Sequence, residues 1–371
     1  MASRPVPATP RAVKSLLATV LLFPASIAAQ LAPSSAHGVS WERAQKQGPE
    51  WFQSAEGRQV VGNVLLYQFP SGGWPKNIDM AKPLTDSDEQ RLAKRRDGAT
   101  IDNGATYSQL RFLANAYAAT RDERVRDAFF KGLDYLLDAQ FGNGGWPIHY
   151  PLRGGYSNHI HFNDNSVSGV LKLMDDVADG GAPFHFVDAE RKKRAENAFA
   201  KGIDCILKCQ VIVDGRRTAW CAQHDEHTLA PAPARMFEPV SLSGHESVDL
   251  VRCLMRVEDP SPDIIAAVRD AVAWLDSVRI EGIRVVDVDT PDGRDRAVKE
   301  VPDARPIWAR FYEIGTNRPI FTGRDGIVRY RYDQIERERR LGYAYYGDWP
   351  AKLLSKEYPA WAKKWRNATT D

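Results

Sequence analysis

An excess of charge of either sign is missing from this chain. Against 50 lysines and arginines stand 48 aspartates and glutamates, a formal net charge of +2 over 371 residues. Net charge therefore gives no reason to expect a polyanionic partner such as nucleic acid, and any basic site has to be a local cluster. A long hydrophobic run is missing too. The apolar stretch "LLATVLLFPASIAA" at 16–29 is too short, and too broken by Pro24, to span a bilayer. Cysteine is scarce, with only Cys205, Cys209, Cys221 and Cys253. Four thiols allow three pairings and sequence does not choose among them. A bridge across "VIVDGRRTAW", between Cys209 and Cys221, is sterically open, but Cys205 and Cys209 at i, i+4 in an apolar helical pattern favour buried free thiols. No G-x-S-x-G elbow, P-loop or H-E-x-x-H motif occurs. Cys221 and His224 have a C-x-x-H spacing, and His159 and His161 alternate as on a strand, without the further ligands of a structural zinc site.

What is present divides cleanly. Arg4, Arg11 and Lys14 precede the apolar run, and small residues Ala28, Ala29 and Ala36 follow it. That order predicts a secretory leader over 1–36, export to the periplasm or medium, and a mature start between about residue 29 and residue 40. The remainder, 37–371, is expected to be one domain with no membrane segment, acting as a monomer. With 43% hydrophobic residues the chain has ample material for one large core.

The chain also repeats itself. "KGLDYLLDAQ" at 131–140 returns as "KGIDCILKCQ" at 201–210 in the same register. Apolar spacing makes each a helix, and each follows another amphipathic helix, through Leu110, Leu113, Ala116 and Tyr117 in one case and Val167, Val170, Leu171 and Met174 in the other. A third pair is legible at about 244–256 and 262–279. The unit is thus a helical hairpin of roughly seventy residues, present three times. Each hairpin ends in a long aromatic-bearing connection, the third running from Arg279 to Tyr312. Loops that long inside a compact domain usually carry function. The repeat is fold, and the chemistry is expected in the loops.

Two Asp-Asn dipeptides open the first helix of a hairpin: Asp102-Asn103 in "TIDNGATYSQL" and Asp164-Asn165 in "HFNDNSVSGVL". Helix capping explains one residue at each place. Their recurrence at equivalent hairpin ends points further, to carboxylates and amide oxygens that suit a hard cation such as Ca²⁺. The same rim gathers arginines on loops, Arg235 in "APAPARMFEP" and Arg310, Arg318 and Arg324 in "WARFYEIGTNRPIFTGRDG". Guanidinium forks match carboxylates, so the set suggests a receptor for a carboxylated substrate. The polar run His224, Asp225, Glu226 and His227 is given no chemical role.

At these residues the chain resembles the pectate lyases of polysaccharide lyase family 10. The likeness runs through "SGGWPKNI", "TIDNGATYSQL", "GGWPIHYP", "HIHFNDNSVSGV", "WCAQHDEHTLAPAPARMFEPVSLSGHES", "ARFYEIGTNRPIFTGRDG" and "GYAYYGDWP", most of the mature chain. The resemblance implies a mainly α (α/α)₃ toroid, with long loops and short strands forming a cleft at one rim. It also implies Ca²⁺-dependent β-elimination of polygalacturonate to 4,5-unsaturated products. It makes Asp102 and Asp164 metal ligands, Arg235 the catalytic base, and Arg310, Arg324 and Asn103 substrate-binding residues. Ca²⁺ and neighbouring arginines would lower the Arg235 pKa. Two rivals remain open on the same toroid: an acid/base glycoside hydrolase using Asp102 and Asp164, and a non-enzymatic uronide-binding protein.

Overall fold

The computed structural model describes residues 38–365; the leader expected at 1–36 lies outside them. Helices dominate: α1 (Trp41–Ala44), α2 (Pro49–Phe52), α3 (Ala55–Leu66), α4 (Asp86–Ala93), α5 (Tyr107–Thr120), α6 (Glu123–Asp138), α7 (Ser166–Asp179), α8 (Ala189–Cys209), α9 (Glu246–Leu254), α10 (Pro262–Ser277), α11 (Arg337–Gly342) and α12 (Tyr358–Trp365). The three expected hairpins are α5–α6, α7–α8 and α9–α10. Their inner helices α5, α7 and α9 pack in succession, and the outer α6 and α8 pack outside them. From Val39 onward the chain is one compact unit. No helix among the described residues is long and apolar enough to cross a membrane.

The duplicated decapeptide has a physical cause. Near the end of each outer helix a carbonyl lacks an intrahelical partner, and a buried tryptophan from the following loop donates its indole N–H to it. Trp74 bonds Val64, Trp146 bonds Leu136, Trp220 bonds Ile206 and Trp308 bonds Leu275, at 2.7–2.8 Å. Thus α3 is a fourth outer element, which apolar spacing alone did not single out. Four residues beyond the latched carbonyl stand Gln68, Gln140 and Gln210. Each donates to a carbonyl in its own loop and to one in the next outer helix: Ala128 in α6, Ala198 in α8 and Ala267 in α10. Four residues before the latched carbonyl, Gly132 and Gly202 leave room for the previous repeat's tryptophan. A Cβ on Gly132 would lie 2.6 Å from Trp74 Cζ3. The repeat exists because each outer helix both receives one loop and anchors the next.

The two helix sets end differently. Outer helices start on side-chain caps: Ser54, Asp122, Asp188 and Ser261 accept from the first-turn N–H groups of α3, α6, α8 and α10. The residues before the inner helices, Thr106, Asn165 and His245, make no side-chain cap bond. Capping therefore does not account for the Asp-Asn dipeptides. The inner helices open uncapped toward the rim where the long loops gather.

The stretch from Arg279 to Tyr312 is more ordered than a loop. It forms an antiparallel ribbon of Ile283–Thr290 with Gly293–Glu300, turning at Pro291-Asp292. Alternating side chains before a Pro-Asp-Gly turn were the missed signal. The expected Asp-Gly hairpin, Ile212–Val213 with Arg216–Arg217, is present. All four cysteines are free and buried, so Cys209 and Cys221 are not bridged. The C-x-x-H spacing is a local turn in which the Cys221 N–H donates to His224 Nε2 at 3.1 Å. A second small core of Phe311, Ile320, Phe321, Tyr332, Ile335 and Tyr345 stiffens the C-terminal loops.

Replacing a helical glycine by alanine ordinarily stabilises by about 1 kcal/mol. At Gly132 the opposite is expected, because the added methyl meets the fully buried Trp74 ring. Gly132→Ala should lower unfolding free energy by about 1–3 kcal/mol in urea titrations. A stabilised variant would show that the latch is loose.

Candidate active site

Asp102 and Asn163–Asn165 sit in tight turns just ahead of α5 and α7. Asn103 (φ 50°), Asp164 (φ 48°) and Asn165 (φ 60°) are all left-handed, a conformation that non-glycine residues hold only where the surroundings enforce it. The two turns pack side by side. Asp102 is buried and paired with Lys76. Asn103 donates to Asn77 Oδ1 at 3.2 Å and lines a depression of about 330 Å³ with Lys76 and Asn77. Tyr107 is the first residue of α5, directly after the Asp102 turn. Burial pushes its hydroxyl up, with Asp249, Asp102 and Asp164 adding to the shift.

The enforcing group at Asp164 is Arg310. Its Nη2 donates to Asn163 Oδ1 at 2.9 Å and Asp164 Oδ1 at 3.0 Å, and also to Glu246. Glu246 is the first residue of α9 and is 1% exposed. It is the third acid at the start of an inner helix. The sequence concealed it, because "SLSGHES" has no Asp-Asn pair. Burial alone would pull Arg310 down; Glu246, Tyr343 and Asp164 reverse this and hold it above its usual value. Burial likewise opposes the Glu246 charge, and Arg310 and His245 overcome it, leaving that carboxyl below the usual range. Arg310 was expected as an open clamp. It is instead 5% exposed and committed to protein acids.

Tyr343 carries the network onward. Arg310 stacks 4.7 Å from its ring, which packs 5.3 Å from Phe237. Around Phe237 stand Arg235 at 4.7 Å, Arg339 at 4.5 Å and Arg324 at 5.8 Å. Arg235, half exposed, forks onto the buried Glu238 through Nε at 2.9 Å and through Nη2, and the Tyr343 hydroxyl donates to the same carboxylate at 3.1 Å. The Glu238 hydrogen bond pushes the Arg235 guanidinium above its usual value despite burial, with Tyr343 and Asp164 contributing. The expected depression of its pKa is not what this arrangement produces. Arg324 forks onto Glu338 at 3.0 and 2.9 Å. Arg318 lies apart, stacked on Tyr330 at 3.7 Å.

The structure thus joins Asp164, Arg310, Arg235 and Arg324 through aromatic and ionic contacts, and sets Asp102 and Asn103 beside Asp164. Glu238, Glu246, Glu338, Arg339 and Tyr343 belong to the same region and were not singled out from sequence. Among the described residues, the one group of three metal-type side chains within 4.8 Å is His159, Asp225 and Glu226. There His159 pairs with Glu226 at 2.9 Å, and Asp225 Oδ1 already accepts from His227 N, Thr228 N and Thr228 Oγ1. A cavity of about 870 Å³ beside Ile212–Thr218 and Trp274 holds none of the arginines or acids above.

A mainly helical hairpin toroid, with acids at the inner-helix starts and arginines on the loops above, is the architecture of a polysaccharide lyase. The pectic acid lyase family model matches residues 68–354, and the chain belongs to that family. Two solved structures are similar: a family 10 polysaccharide lyase from Cellvibrio cellulosa, and an aspartate-to-alanine mutant of such an enzyme in complex with trigalacturonic acid. Each is 34% identical with a TM-score of 0.70. Each alignment covers 85% of this chain, and 95% and 96% of the respective structures. No curated protein matches the chain.

Below the site, burial pulls His161 and His224 down from 6.5 to about 4. Below pH 6.5 the unfolded chain takes up protons that the folded imidazoles still refuse. Stability present above pH 6.5 should therefore fall as the pH drops toward 4, by up to about 3 kcal/mol for each histidine. Urea titrations between pH 7 and pH 4.5 measure this, and His161→Phe should flatten the slope. Equal stability across that range would contradict it.

Proposed function

We propose that the chain is a Ca²⁺-dependent pectate lyase, cleaving α-1,4-polygalacturonate by β-elimination to 4,5-unsaturated oligogalacturonides. The observation that carries this reading is the linkage of an acid set and an arginine set through Arg310, Tyr343 and Phe237. Asp102 and Asp164 lie at the inner-helix starts, and Arg235 and Arg324 lie around Phe237 beyond Arg310 and Tyr343. Guanidinium forks bind and orient the uronate carboxylate. The C5 proton is α to that carboxylate, so its removal spreads negative charge toward the forks, which stabilise it. The C5–H electron pair forms the C4–C5 double bond, and the C4–O bond breaks with its pair leaving on the glycosidic oxygen, which takes a proton from water to become the hydroxyl of the departing sugar. An acid/base hydrolase would give saturated products, and a binding protein would give none.

The donor set suits a hard cation. Asp102 and Asp164 supply carboxylate oxygens and Asn103 an amide oxygen, and the polyuronate brings its own carboxylates. Asp102 and Asp164 would hold the ion, which supplies neutralisation of the substrate carboxylate as charge develops there. Lys76 and Arg310 occupy these oxygens in the structure. Calorimetry should show Ca²⁺ binding in the presence of oligogalacturonate, weakened at least tenfold in Asp164→Ala, and chelator should abolish absorbance growth on polygalacturonate. Full activity of Asp164→Ala in chelator would remove the metal from the account.

We assign Arg235 the role of the base that takes the C5 proton. Its fork to Glu238 must open for this, since in the structure Glu238 holds it as a guanidinium. Arg235→Ala and Arg235→Lys should each lose about 10²–10⁴ in kcat while still binding trigalacturonate, because proton abstraction depends on placement. A lysine variant with near wild-type kcat across pH would leave Arg235 as a carboxylate clamp only. Export is part of the same reading, supported by the basic, apolar and small-residue order of the first 36 residues. The mass of the secreted protein would test it.

A further inference from the structure

One carboxylate near Phe237 is gripped twice. Glu338 receives the Arg324 fork at 3.0 and 2.9 Å, and also the Arg339 fork, with Nε at 2.7 Å and Nη2 closer still. The three side chains differ in freedom. Arg339, on α11, is 7% exposed and packed over Phe237, whereas the Glu338 and Arg324 side chains are 56% and 61% exposed. The ribbon Ile283–Glu300 pins α11 from behind: Arg337 donates to the Arg294 carbonyl at 2.8 Å, and Arg340 to Asp295 at 3.0 Å. A buried fork and an exposed fork thus share one carboxylate, which is itself more than half exposed. Two converging guanidinium forks are a carboxylate receptor whatever molecule supplies the carboxylate.

We propose that Arg339 is the second arm of the uronate clamp formed with Arg324, and that Glu338 is a resident carboxylate which the substrate displaces. This rests on the uronide reading of the site. The exchange is one carboxylate for another, so the arginines never face the cleft as two uncompensated charges. A neutral sugar, or one whose carboxyl is methyl-esterified, offers no charge to replace Glu338 and is rejected. Selectivity for the free acid then comes from what the substrate must evict as well as from what it touches.

Glu338→Gln keeps the shape and removes the competing charge. KM for polygalacturonate should fall several-fold, the inhibition constant of monomeric galacturonate should fall with it, and the preference for unesterified over methyl-esterified pectin should narrow. Arg339→Lys should raise KM about tenfold, since an ammonium cannot fork. In the double variant Glu338→Gln should no longer lower KM, a non-additivity that loss of stability would not produce. Should Arg339→Lys fail to fold, Glu338→Gln carries the test alone through KM and galacturonate inhibition. Unchanged or raised values for Glu338→Gln in an active enzyme would overturn the proposal. A wild type with no turnover on polygalacturonate would overturn the uronide reading beneath it.

Discussion

Arg310 places a guanidinium where almost no water reaches, and much of the site is arranged around keeping it there. Burying an unpaired charge costs several kcal/mol, and a well-packed partner set has to offset that. The partners come from three separated segments: Asn163 and Asp164 ahead of α7, Glu246 at the start of α9, and the Tyr343 ring after α11. None can move without exposing the charge to an uncompensated neighbour. This constraint enforces the left-handed turn at Asp164, and it fixes the height of Tyr343 between Arg310 and Phe237. The arginines around Phe237 are positioned by a residue that need not touch substrate.

Loops that carry such a network must be stiff, and the toroid supplies that stiffness by repetition. Each tryptophan latch ties a loop to the last turn of an outer helix, and each glutamine ties that loop to the next outer helix. A displacement of one outer helix is therefore felt in the loop above its neighbour. The loops beyond Trp308 depend on something else, the second core around Phe311, Phe321 and Tyr345 and the ribbon that braces α11. The site lies where these two kinds of support meet.

This division also sets what the sequence could show. The three hairpins were legible because apolar periodicity is a local signal, and the latch residues recur at fixed spacing. The role of α3 was not legible, because it lacks the Lys-Gly signature that α6 and α8 need to receive an incoming tryptophan. Asp102, Asp164, Arg235 and Arg324 stood out by residue type in loop context, and they do gather at one rim. Glu238, Glu246 and Glu338 did not. Each is a lone glutamate whose meaning depends on an arginine between 1 and 64 residues away that folding brings to it. Sequence shows candidate cations and anions; it does not show which of them are already married.

That pairing gives the site its chemical character. Asp102 holds Lys76, Asp164 and Glu246 share Arg310, Glu238 holds Arg235, and Glu338 holds Arg324 and Arg339. A cleft for a polyanion might be imagined as a bare positive groove, but here the basic residues carry internal counter-ions, in keeping with a chain whose net charge is only +2. A bare groove would attract any polyanion and would destabilise the fold by self-repulsion. With paired charges, binding becomes an exchange of ionic partners. The free energy of each new contact is then the difference between two similar interactions, far smaller than the 1.5–3 kcal/mol or so of a charge-assisted hydrogen bond taken alone. On that proposal affinity comes from several exchanges made together, which a regularly spaced chain of carboxylates would drive. The same arithmetic bears on Arg235. While Glu238 remains its partner Arg235 is held as a guanidinium, so the proposed role of base requires that fork to open first.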